Sequence, residues 1–129
     1  MRTIKFRGCS CGEWYYGNLY IRKHEEFGDS AYIIGYTETP STTIVDINTI
    51  GQFTGLCDIN GKHIYEGDII KSSYGTIHYI VYDNDLACFK AVVARYNPSN
   101  EYSNLSKGWI VQFNKEVIGN IYDNPELLK

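Results

Sequence analysis

The chain has 129 residues, 43% hydrophobic and 21% charged, with a formal net charge of −3, a size at which about two-thirds of the unfolded surface is buried without metal or disulfide support. The negative balance argues against bulk attraction to nucleic acid or an anionic membrane and leaves only a local basic patch for either purpose. No run approaches the roughly 20 apolar residues of a spanning helix, and Arg2, Lys5 and Arg7 stand where an export signal needs an apolar stretch, so a cytoplasmic protein with reduced thiols is expected.

The chain carries 12 tyrosines, a residue that favours strands. Short strand-like runs alternate with turn residues along its length, the pattern of a mainly β protein made of small SH3-like barrels or antiparallel hairpins. Thr3 to Arg7 alternates, with Ile4 and Phe6 on one face and Lys5 and Arg7 turned to solvent, and Gly8 is expected to end the strand. Ser10, Cys11 and Gly12 suit a turn, and Glu13 to Ile21 reads as the return strand. Weaker strands follow at 32–36 and 44–45, with a loop tip at 25–30 and a polar loop at 37–43.

Asn60-Gly61, between Gln52-Phe53-Thr54 and Ile64-Tyr65, carries the signature of a type I′ hairpin turn. Gly67-Asp68 then enters the run Ile69-Ile70-Lys71, and Gly75 leads into the alternating stretch 76–82. A glycine that permits a sharp entry bend recurs in SH3-like barrels, and this assigns an SH3-like portion to about 51–121 of one domain covering 1–129, with a subdivision near 45–50. Runs at 88–94 and 109–113 read as further strands, with Asn97, Pro98, Ser99 and Asn100 opening an irregular excursion between them. At the end, Asn124 as N-cap, Pro125 at the first helical position and Glu126 in the first turn predict a short C-terminal helix.

Chemical signals are sparse. Cys9, Cys11, Cys57 and His63 are zinc-ligand types, but a Cys-x-Cys pair lacks the paired-knuckle spacing of a zinc site, and free thiols are expected. The stretch from Asp58 puts His63 and Ile69 where a calcium loop needs glycine and glutamate. Glu66 and Asp68 flank Gly67 and suit backbone bonding at a strand entry better than acid and base work. His24, His63 and His78 fall on different segments with no triad pattern, and no phosphate-binding glycine loop or dinucleotide fingerprint occurs. No cofactor and no metal are expected. A basic and aromatic patch of Lys5, Arg7, Tyr15 and Tyr16 is the candidate nucleic-acid surface. Against it stands the reading that Trp14 and Tyr16 are core residues and Tyr15 covers a half-wet face. Surplus tyrosines alternatively mark a protein interface.

Three stretches, 4–8 with 12–17, 54–71, and 118–128, resemble the YopX family of temperate-phage and prophage proteins. The resemblance implies a phage context and supplies no catalytic residues. Cys9-Ser10-Cys11 stands where many relatives are polar or charged. The resulting expectation is a non-catalytic accessory module for binding or assembly, with an unknown phage or host protein or a second copy as partner. Nucleic-acid binding is the alternative, and an enzyme of unknown reaction comes third.

Overall fold

The computed structural model describes residues 1–95 and 98–129; Asn97, in the expected excursion, lies outside them. The chain divides into two compact units, Met1–Phe53 and Thr54–Lys129, and the fold is mainly β, as the strand-like runs and their turns imply.

In the first unit the strands are β1 (Phe6–Ser10), β2 (Glu13–Arg22), β3 (Ser30–Ile34) and β4 (Thr42–Cys57), whose residues from Thr54 onward belong to the second unit. They pair antiparallel in chain order, and β1 pairs again with β4, which closes the ring into a four-stranded barrel. The β1–β2 turn is Cys11-Gly12, with φ of 51° and 81°. Two successive positive φ values define the type I′ geometry whose twist matches that of the flanking strands. Gly8 lies inside β1, and the strand continues to Ser10. Its role is close approach, because a Cβ there would sit 2.6 Å from Val45 Cγ2 and 2.9 Å from Ile50 Cδ1. The weak run at 44–45 and the hairpin flank at 52–54 are parts of the single long strand β4. Its register against β1 jumps from Arg7↔Gly51 to Cys9↔Asp46. Thr49 fills the gap, since its Oγ1 accepts from the Cys9 amide at 2.9 Å and donates to the Asp46 carbonyl at 2.6 Å. Alternation along the strands points Ala31, Ile33 and Val45 inward, packed against Phe6, Tyr15, Leu19, Ile21 and Ile50.

The second unit contains β5 (His63–Tyr65), β6 (Asp68–Lys71), β7 (Ile77–Asp83), β8 (Cys88–Val93), β9 (Tyr102–Asn104), α1 (Lys107–Gln112), β10 (Glu116–Asn120) and a 3₁₀ helix, Pro125–Leu128. Five of the strands form an antiparallel sheet in the order β10-β6-β7-β8-β9. The core holds Ile64, Ile70, Ile80, Ala91 and Ile110, flanked by Leu56, Phe89, Leu105, Trp109 and Val117. The closed ring of strands thus falls within 6–57, while the stretch read as SH3-like carries this five-stranded sheet.

Two local expectations are corrected. The run 109–113, rich in strand-favouring residues, lies mostly in α1. Ser106 caps the helix, its Oγ accepting from the Trp109 amide at 3.2 Å, and a helical turn brings Ile110 into the core at 2% exposure. Burial of that side chain, about 2–3 kcal/mol, outweighs a strand preference that spans about 1 kcal/mol. The C-terminal helix is 3₁₀ in form, and the Asn124 side chain does not cap it. Its Oδ1 accepts instead from the Asn120 amide at 3.2 Å.

Candidate functional site

The residues expected to bind nucleic acid are separated by the pleat. Arg7 lies opposite Tyr16 and Gly8 opposite Tyr15, so Tyr15 and Tyr16 take opposite faces of β2. Tyr15 packs against the barrel core, the reverse of the expected arrangement. Its hydroxyl donates to Glu13 Oε2 at 3.2 Å, and that bond to a carboxylate pushes the phenol above its ordinary value. Tyr16 is 48% exposed. Arg7, expected in solvent, is 5% exposed, and its guanidinium carbon lies 4.7 Å from the Trp14 ring centroid. Strand pairing on both sides, with β2 and with β4, encloses this stretch. Lys5 sits just before β1, half-buried, with Nζ 5.2 Å from the Phe53 ring centroid. Of the four, Arg7 and Tyr16 share an outward strand face, and Trp14 accompanies them.

The same outward face carries a row that sequence reading missed. Tyr20 pairs with Tyr32, and Tyr32 with Ile44, across β2, β3 and β4. The two tyrosine rings are 6.1 Å apart, while Tyr20 is 53% and Ile44 56% exposed. Charged residues stand beyond this row: Arg22 at the end of β2 and Asp46 further along β4. The available signal was β2 itself, where apolar residues occupy both alternating sets, Trp14, Tyr16 and Tyr20 against Tyr15, Leu19 and Ile21. A barrel strand needs only one apolar face.

The structural motifs sit at turns. Gly61 has φ of 85°, but Asn60 is not in the left-handed region. The Gly61 amide donates to the Asp58 carbonyl at 3.0 Å, so the turn is type I with a left-handed glycine after it rather than type I′. Its organiser is Asp58, 6% exposed. Asp58 Oδ1 accepts from the Asn60 amide at 2.9 Å and the Lys62 amide at 2.8 Å, and Oδ2 from the Val117 amide at 2.9 Å. Gly67, φ 89°, donates to Ile80 O and accepts from the Ile121 amide. Asp68 is 2% exposed and its Oδ2 accepts from the Tyr65 amide at 2.7 Å, the local backbone role expected of an aspartate at that strand entry.

Cys9, Cys11, Cys57 and Cys88 are free thiols. Among the described residues no group of three His, Cys, Asp or Glu side chains is placed to hold a metal ion. His63 is exposed on β5, and His24 Nδ1 accepts from the amides of Glu26 and Phe27 in a loop. His78 on β7 is buried, and Lys115, 2% exposed, brings its Nζ to 3.2 Å from His78 Nδ1. The amine also lies 4.3 Å from the Trp109 ring centroid and 5.8 Å from that of Phe113. Burial, and then the positive charge of Lys115, push His78 down to about 4. Burial pushes Lys115 down to about 8. A perturbed lysine is chemically interesting where substrate reaches it; this one is enclosed by two aromatic rings and an imidazole, and acts as a packing element.

A four-stranded barrel unit and a five-stranded antiparallel unit with one short α-helix define a small, mainly β protein. Over residues 5–129 the chain matches the family model described as YopX protein, and it belongs to the YopX family. It is similar to the crystal structure of protein EF1440 from Enterococcus faecalis, with a TM-score of 0.63 and 25% identity over 100% of each chain. No curated protein matches it. Among the described residues, no helix is long and apolar enough to cross a membrane.

Proposed function

We propose that the protein is a non-catalytic accessory module of a phage or prophage, working in the bacterial cytoplasm, and that it docks an apolar protein surface on the outward face of its barrel. The observation that carries this reading is the cross-strand row Tyr20, Tyr32 and Ile44, apolar and exposed at both ends. Charge-depleted centres with tyrosine enrichment are the composition of protein interfaces, and tyrosine supplies large contact area at modest entropy cost. A nucleic-acid reading needs cations beside the aromatics. The burial of Arg7 beside Trp14 withdraws one of the two cations that reading relies on.

The test is a tagged pull-down from the lysogenic host, with and without nuclease, comparing the native chain with a Tyr20→Ser, Ile44→Asp double variant. Both substitutions fall on exposed side chains, so the barrel core is untouched. The expected result is a stoichiometric, nuclease-resistant protein captured by the native chain and lost with the variant. Light scattering of the purified chain distinguishes a second copy from a foreign partner. Equal capture by both chains removes this face, and nuclease-sensitive recovery of nucleic acid, weakened by Lys5→Ala with Arg7→Ala, overturns the reading in favour of the alternative.

A further inference from the structure

On the second unit, Val93, Ala94 and Arg95 line two neighbouring cavities. One, of about 360 Å³, is completed by Tyr79, Val92, Asn100 and Leu128. The other, of about 280 Å³, is completed by residues 74–77. The larger is of the size that small-molecule sites occupy, about 300–1,000 Å³. Its walls mix apolar and polar surface, with Val92 on β8, Ala94 just past the strand's end and Leu128 on the 3₁₀ helix, while Arg95 and Asn100 supply polar groups. The backbone fixes this corner, because the Arg95 amide donates to the Leu128 carbonyl at 3.3 Å and the Ala94 amide to the Ile77 carbonyl at 2.9 Å.

Arg95 is held at φ of 74° and Asn100 at 52°. A left-handed backbone at a side chain as large as arginine is strained by about 1–3 kcal/mol, and such strain gathers at ligand sites. The Arg95 side chain is exposed, while the described ion pairs Lys23 with Asp29 and Lys90 with Asp83 are made by other residues. A guanidinium forms paired, charge-assisted bonds to carboxylate or phosphate.

We infer that the cavity beside Arg95 binds a small ligand with an anionic head and a short apolar body, the head on the Arg95 guanidinium and the body against Val92, Ala94 and Leu128. Two sources offer this chemistry, a free medium-chain carboxylate and the C-terminal carboxylate of a peptide ending in an apolar residue. This site lies in the second unit and is independent of the barrel face.

The experiment is an amide-resolved NMR titration of the full chain with octanoate and, separately, with the tripeptide Gly-Gly-Leu bearing a free C-terminus. Octan-1-ol and the amidated tripeptide are the neutral counterparts. The expected result is saturable shifts at Tyr79, Val92, Val93 and Leu128 from at least one anionic probe. Arg95→Gln, or removal of the probe's charge, weakens that binding about 10- to 100-fold, the range for losing a charge-assisted hydrogen bond. Which anionic probe saturates identifies the source. The inference is overturned if neither anionic probe shifts these amides, if each neutral counterpart binds as well as its anion, or if Arg95→Gln binds as the native chain does. The neutral-probe comparison needs no variant, so the test holds even if Arg95→Gln disturbs the corner.

Discussion

Acidification should unfold the second unit through His78, and a single substitution isolates the effect. The imidazole titrates at about 4 in the folded chain against an ordinary 6.5, so in this window the unfolded chain binds more protons than the folded one. Stability from this group is therefore fully present above pH 6.5 and lost progressively as pH falls toward 4, below which both states are protonated. At about 1.4 kcal/mol per pKa unit the loss comes to about 3 kcal/mol, with a steepest slope near 1.4 kcal/mol per pH unit. Urea denaturation followed through Trp109, in a chain whose other tryptophan, Trp14, is replaced by Phe, measures it at intervals from pH 4 to 8. His78→Gln keeps a polar side chain but cannot titrate, and the carboxylates contribute alike to both chains. The difference between the two stability curves should thus change by about 3 kcal/mol across the window. Parallel curves, or an NMR titration of His78 centred near 6.5, would refute the reasoning and show the imidazole to be solvated.

Lys115→Met should raise the His78 pKa only part of the way to its ordinary value, because burial is the larger cause and the lysine charge the second; imidazole NMR reads this directly, and an unchanged value removes the coupling. The native chain should gain stability between pH 8 and 10.5 as the buried amine, displaced to about 8, loses its charge, and the same variant should abolish that rise. Gly8→Ala should destabilise the barrel by about 1–3 kcal/mol, because its Cβ meets Val45 at 2.6 Å and the core must shift to admit it; thermal unfolding at native level would discard the close-approach argument. Asp58→Ala strips acceptors from three backbone amides and should cost about 3 kcal/mol in urea denaturation, with faster hydrogen exchange at Asn60, Lys62 and Val117.

Strand positions were legible where a run of strand-favouring residues is bounded by turn residues. The 76–82 run appears as β7 and 88–94 as β8 within a residue or so, because their β-branched and aromatic content and the flanking turn chemistry agree there. The 109–113 run was misread because five residues cannot separate a strand from a short helix when all suit a sheet. The Ser106 cap was present in the sequence, yet only tertiary burial of Ile110 decides which reading wins. Asn60-Gly61 shows a similar limit. The dipeptide marks a turn, but the turn type follows from Asp58, whose carboxylate gathers amides from both its own loop and Val117, a strand 59 residues away.

The candidate surfaces were harder to read for a related physical reason. Alternation assigns faces relative to each other but does not say which is wet, and Lys5 and Arg7 looked exposed because cations usually are. In a closed barrel each strand has neighbours on both sides, so even an outward side chain such as Arg7 can be covered by an aromatic on the next strand; the guanidinium stacks on Trp14 and its stem is shielded from water. The Tyr20, Tyr32 and Ile44 row depends on the registers of two strand pairs at once, and a shift of one residue in either would have turned one member of the row inward. Register is fixed by the barrel core, by Gly8 admitting Val45 and by Thr49 bridging the break in β4. The exposed row is therefore a consequence of packing on the opposite face, which is why no motif in the sequence announces it and why substitutions at Gly8 or Thr49 should disturb the placement of this row as well as stability.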